Sequence, residues 1–291
     1  MASLVGSHKV ADRTLRPAGF ERMIFMEQTP TEVIFANLAS TVLWILAVAM
    51  ILVAGQRSQR IRGFRDKMIA QWKPSLTIAV LFVIGMGLGG RGLLNPYGVT
   101  LFCQSLIGLT LARSMSGYEP LPVMQSLIQR ERVWRSIGLM IGIALILVLP
   151  VLIIGSVGLS IGRQLVGETN RSAEAMGMLP SNKWLTFFLL LSGAGIAEET
   201  TYRLVFLSLF WRVTRRRWLA IILSAMLFGA YHLTPLNGMY RVFWQFPISQ
   251  FLASTLIGIV WGYVFVKRGY ETTVLGHTFS DWIPFILFSA G

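Results

Sequence analysis

Residues 195–210 read GIAEETTYRLVFLSLF and set Glu198, Glu199 and Arg203 in a run otherwise apolar enough to cross a bilayer. A charge at membrane depth costs from about 3 to more than 10 kcal/mol, so three together persist only where they are paired, water-lined or used. Glu199 and Arg203 are four apart with the acid first, which puts them on one helical face as an ion pair. Glu198 is turned about 100° away on a regular helix. The spacing therefore predicts a brace, Glu199 with Arg203, and a free carboxylate, Glu198, facing a cavity. The structural alternative is one buried ion-pair network joining helices.

The rest of the chain is a suitable setting for such a run. Of 291 residues 54% are hydrophobic and 13% charged, and the mean hydropathy is +0.62, whereas soluble domains carry about 25% charged residues. The expected class is an all-α polytopic membrane helix bundle. The formal net charge of +13 would suggest nucleic acid in a soluble protein. Here the basic residues sit in short segments between apolar spans, which points to the positive-inside rule and the lipid bilayer as partner, not to nucleic acid. The single cysteine, Cys103, excludes an intramolecular disulfide and a cysteine metal cluster.

About eight transmembrane helices are expected: 33–54, 75–90, 97–112, 137–161, 184–211, 218–233, 248–266 and 272–289. The second and third form a membrane hairpin around Asn95 and Pro96, and Pro150 kinks the fourth. Residues 57–73 and 113–135 are read as basic loops, and 162–183 as a loop without periodicity. Lys and Arg gather in 57–73, 113–135, 212–217 and 267–268, which places those segments inside and both termini outside. Three regions follow: a polar leader over 1–32 without the apolar core of a secretory signal, N-terminal transmembrane helices over 33–183, and a C-terminal core over 184–291. Four glycine pairs, Gly85/Gly89, Gly138/Gly142, Gly158/Gly162 and Gly258/Gly262, allow close helix packing.

With the loops set aside, the ionisable groups at membrane depth are Glu198, Glu199, Arg203, His232, His277 and Asp281, all on the last four spans. Phe228 and His232 share a face, as do His277 and Asp281, each pair being four residues apart. Singly, His232 reads as an interhelical hydrogen-bond partner and His277 with Asp281 as a polar contact near a helix end. Together they bring polar groups from three separate helices to one region. On the expected span limits His232 lies about 20 Å from the basic end of its helix and His277 about 10 Å, so their meeting requires tilted helices or displaced ends.

At these residues the chain resembles the CPBP, or Abi, family of intramembrane proteases, which includes the CAAX prenyl endopeptidases. The family pattern E-E-x-x-x-R, F-x-x-x-H and H-x-x-x-N is met by Glu198, Glu199 and Arg203, by Phe228 and His232, and by His277, with Asp281 in place of asparagine. The resemblance covers about residues 184–289. It implies a hydrolase in which Glu198 and His232 activate a water and His277, with the residue at 281, stabilises the oxyanion. It implies a membrane protein or peptide substrate, prenylated in the CAAX members, and a multi-pass location in a cell or organelle membrane. An ionised Asp281 would repel the oxyanion, so it either donates a hydrogen bond while protonated or orients His277. No cofactor is expected; the alternative is zinc, held by His232, His277, Glu198 and Asp281 as an N2O2 set. The rival function is a non-catalytic membrane protein, an immunity or chaperone-like member or a proton-coupled transporter, using the same cluster for binding.

Overall fold

The computed structural model describes residues 31–93, 95–169 and 171–288, so the polar leader, apart from Thr31 and Glu32, lies outside the described residues, as does Ser289 at the expected end of the eighth span. Among the described residues the chain is all-helical. In order the elements are α1 (Thr31–Arg57), α2 (Gln59–Ile69), α3 (Trp72–Leu88), α4 (Tyr97–Arg113), α5 (Pro122–Gln129), α6 (Val133–Ile146), α7 (Val148–Val166) and α8 (Ser172–Gly177). Then come α9 (residues 183–214), α10 (Arg217–Tyr231), α11 (Tyr240–Phe243), α12 (Pro247–Arg268) and α13 (Tyr270–Phe288).

Lipid is the solvent these helices suit. Large apolar side chains stand exposed along the outer faces, among them Leu43 and Met50 on α1, Leu149 and Leu165 on α7, and Val213 and Trp218 at the α9–α10 corner. Contiguous apolar surface of that extent is not tolerated in water. Three helical paths are long and apolar enough to cross a membrane: Thr31–Arg57, Val133–Val166 and Pro247–Arg268. A fourth results if α2 and α3, bent by 50°, count as one span. Three of the other expected spans fall short by this measure because their helices are short. Helix α10 has 15 residues, and α3 and α4 have 17, roughly 22 to 26 Å against a hydrocarbon core of about 30 Å. Helix α4 also buries Thr100, Gln104, Ser105 and Thr110 inside the bundle, where protein and not lipid surrounds them.

The helix expected to kink at Pro150 is interrupted at Leu147, while Val133–Val166 stays one helical path. Proline has no N–H and its ring clashes with the carbonyl four residues earlier, and α6 ends at that residue, Ile146. The expected hairpin is also present, α3 lying against α4 with the Phe82 and Tyr97 rings 5.7 Å apart. The basic stretch 57–73 is not a loop. It contains α2, a helix that tucks Met68 and Phe64 against Trp44, Val48 and Ile51 of α1 while Arg60, Arg62 and Lys67 stay outward. Helix α5 likewise replaces part of the expected loop 113–135, and 162–183 holds the end of α7 and the short α8.

The C-terminal helices pack through small residues. A Cβ on Gly158 of α7 would stand 2.6 Å from Ala253 Cα of α12, and one on Gly162 would strike the backbone at Ser249. Gly138 and Gly142 of α6 face open space. Gly158→Leu is therefore expected to lower stability by about 1–3 kcal/mol through overpacking, and Gly142→Ala to leave it unchanged; thermal unfolding in detergent measures both.

The start of α12 is held from outside by Glu168, whose carboxylate oxygens accept the N–H groups of Ile248 at 3.0 Å and Ser249 at 2.7 Å. Burial pushes this carboxyl up, but the two N–H bonds outweigh it and leave it below the ordinary carboxylate value. The stability contributed is thus present above the unfolded value, about 4.3, and lost as pH falls through the folded one. Glu168→Ala is expected to cost about 0.5–2 kcal/mol near neutral pH, as for other lost N-terminal caps, with the difference from the parent vanishing in acid; unfolding measured across pH checks this.

Candidate active site

Helix α9 begins under a cap, Asn182 Oδ1 accepting the N–H groups of Trp184 and Leu185 at 3.0 and 3.2 Å. It continues as a regular helix only to Leu190. From 191 to 207, apart from Glu199, it is π-helical, a rare winding concentrated at functional sites. Hydroxyl groups meet carbonyls along this wider winding. Tyr270 O–H donates to Ile196 O at 3.2 Å, Thr201 to Ala197 O at 2.9 Å and Ser224 to Tyr202 O at 2.5 Å. Thr200 and Tyr270 also share a hydroxyl bond of 2.7 Å. Backbone polar groups that a regular helix would hide are thereby satisfied without water.

Glu199 and Arg203 are fully buried and joined, Nη1 to Oε1 at 3.2 Å. The guanidinium lies 4.4 Å over the Phe228 ring, a cation–π contact strengthened by the dry surroundings. Arg203 is not the sole partner of Glu199: the same Oε1 stands 2.7 Å from His277 Nδ1. A carboxylate accepts only, so Nδ1 carries a proton and the orientation of the ring is fixed. Stacked near Trp261 at 6.1 Å and edge-on to Phe228 at 5.7 Å, the imidazole is confined on two further sides. Its free Nε2 is 3.9 Å from Glu198 Oε2 and 3.8 Å from Asp281 Oδ2.

Glu198 is 13% exposed and Asp281 41%, against 0% for Glu199, so these two carboxylates face outward from the packed centre. His232 caps α10, and its Nδ1 donates to Phe228 O at 2.8 Å, which leaves Nε2 as the atom available to a water or substrate. Its ring packs edge-on to Phe228 at 4.8 Å and against Phe243 of α11 at 5.5 Å. Phe228 thus touches both histidines. The Tyr231 ring lies 5.3 Å from the His232 ring and 5.3 Å from the Tyr202 ring, which ties α9 to the α10 histidine.

The mismatch of depth between the histidines disappears because α13 starts inside the protein. One residue, Gly269 with φ +83°, turns α12 into α13. A side chain there would meet Pro122 and the Pro120 carbonyl. The turn is roofed by segment 118–124: Tyr270 N–H donates to Pro120 O at 2.7 Å, Tyr118 O–H to Phe265 O at 2.7 Å, and Met124 N–H to Glu271 Oε1 at 2.8 Å. Tyr270, Thr272 and Thr273 are buried accordingly, so a residue two turns into α13 is already deep.

All six expected side chains therefore stand in one neighbourhood, built from α9, α10 and α13. Three contributors were missed by sequence reasoning: Tyr231, Trp261 and the Glu199 bond to His277. Tyr231 precedes the motif histidine, and that adjacency was its only signal; Trp261 lies on a span without ionisable groups.

Residues 180–283 match the family model described as type II CAAX prenyl endopeptidase Rce1-like. Over this segment the chain is similar to that family. No curated protein and no solved structure matches the chain. The Rce1-like family is a protease family of membrane proteins, and its match spans every one of the six side chains above. The chain is an integral membrane protein, and the segment similar to that family runs over α9 to α13. Among the described residues no group of three or more His, Cys, Asp or Glu is placed to hold a metal ion.

Proposed function

We propose that the protein is an intramembrane endopeptidase, acting on a membrane-tethered peptide of the prenylated CAAX kind, in which a water is the nucleophile. The observation that carries this reading is the division of the carboxylates around His277: Glu199 holds Nδ1 from the dry side while Glu198 and Asp281 approach Nε2 from the open side. Glu198, with His232 Nε2 as second acceptor, takes a proton from the water as its oxygen bonds to the scissile carbonyl carbon. The carbonyl becomes an oxyanion, which accepts from the Nε2–H of His277 in its imidazolium form. Glu198 then returns the proton to the departing amine as the C–N bond breaks. Arg203 and Glu199 act on the reaction only through His277 and the winding of α9.

Asp281 sets the Nε2 direction of His277 before substrate enters, and the incoming oxyanion displaces it. Asp281→Asn, which restores the amide of the family pattern, is therefore expected to keep or raise kcat, and a loss greater than about tenfold would give Asp281 a direct role in the chemistry. In cells lacking the protein, uncut membrane substrates should accumulate and be cleared by the parent gene but not by Glu198→Ala, as read by membrane proteomics. Equal rescue by Glu198→Ala would favour the non-catalytic, partner-binding function instead. Purified protein is expected to hold no stoichiometric zinc; zinc lost together with activity on chelation would replace the metal-free mechanism.

A further inference from the structure

Where α6 begins and α12 ends, a cavity of about 300 Å³ opens between segment 117–123, α6 and the α12–α13 turn. Its lining has a cationic part and an apolar part. Lys267 and Arg268, both exposed, line it together with Ser136 and the buried Thr272, whose hydroxyl donates to Arg268 O. Neither cation forms an ion pair among the described residues. The one acid in the wall, Glu119, is already engaged by Arg113 at 3.1 Å and by the Leu121 N–H at 3.0 Å. The apolar part of the wall is Leu139, which is exposed, with the half-buried Ile143 and Val266. Ser136, Leu139 and Ile143 follow one face of α6, and Ile143 lies about 10 Å further along the axis than Ser136.

The surroundings place this cavity at a membrane surface. Arg130, Arg132 and Arg135 are exposed beside it, opposed by Glu131 alone on that stretch. Trp134, 84% exposed, stands at the same level, as aromatic side chains do at the headgroup boundary.

We propose that this cavity binds an anionic phospholipid, with its phosphate on Lys267 and Arg268 and one acyl chain along Leu139, Ile143 and Val266. Unpaired cations between helices at the basic face are suited to an anionic headgroup. The apolar wall gives the acyl chain a place that a free phosphate would leave unfilled. A lipid seated there would brace the turn from which Tyr270 reaches Ile196 and Thr200, the residues flanking the two glutamates. Binding does not depend on the protease reading.

Native mass spectrometry of the full-length protein tests the site with phosphatidylglycerol, phosphatidylcholine of the same chains, and glycerol 3-phosphate. Phosphatidylglycerol is expected to bind more tightly than phosphatidylcholine by about 30-fold, the attraction of two cations at the surface. Lys267→Ala with Arg268→Ala should abolish that preference, Ile143→Trp should weaken both lipids, and glycerol 3-phosphate should displace neither. Equal binding of the two lipids, an unchanged preference in the double variant, or displacement by glycerol 3-phosphate overturns the proposal. Should the variants fail to fold, the parent protein decides: its melting temperature must rise more with phosphatidylglycerol than with phosphatidylcholine, and equal shifts overturn the site.

Discussion

Glu198→Gln is expected to lower kcat for peptide cleavage by about 100-fold or more, the loss typical of a removed general base, with KM and thermal stability near the parent values. The amide keeps the shape of the side chain, so packing is preserved. What it loses is the capacity to take the water's proton. His232→Ala should act on the same step, and because both groups serve one water their effects are expected not to add. A double variant no slower than the worse single one supports a shared water. Independent, multiplying losses would assign His232 to substrate binding, and retained turnover in Glu198→Gln would remove the carboxylate from the chemistry altogether.

Arg203→Ala should be the most destabilising single change at the site. It leaves the buried Glu199 with His277 alone to compensate its charge, and losing one partner of a buried ion pair costs about 3–5 kcal/mol; it also strips the cation from the face of Phe228. Glu199→Gln with Arg203→Met removes both charges and is expected to recover most of that stability, since replacing a whole buried pair is often neutral. Activity should not return with it. The carboxylate that holds His277 Nδ1 is gone, and an amide can present either a donor or an acceptor to the ring. Unfolding in detergent and a cleavage assay on the same samples separate the two roles. A stable and fully active double variant would show that Glu199 does nothing for His277.

Much of this arrangement is legible from charge and period alone. An acid and a base four residues apart pair on any helix-like winding, so the Glu199–Arg203 bond survives the departure from regular geometry. Proline at 150 interrupts its helix at Leu147 for reasons local to the ring. Other features depend on contacts that no local pattern carries. The π-helical winding of 191–207 is supported by Tyr270 and Ser224, which come from other helices. Residues 57–73 look like a loop because their charge masks a two-residue apolar contact, Phe64 and Met68, that only α1 reveals. Helix α4 hides four polar side chains inside the bundle, and hydropathy weighs them as though lipid surrounded them. The depth of His277 follows from the roof over Gly269, a contact between segments nearly 150 residues apart.

The most direct measurement places purified protein in proteoliposomes with a membrane-tethered, prenylated CAAX-type peptide and identifies the products by mass spectrometry. Cleavage near the lipidated end by the parent protein, and none above background by Glu198→Gln at equal incorporation, is the predicted result. An intact peptide with the parent protein, or equal cleavage by both, would contradict the account.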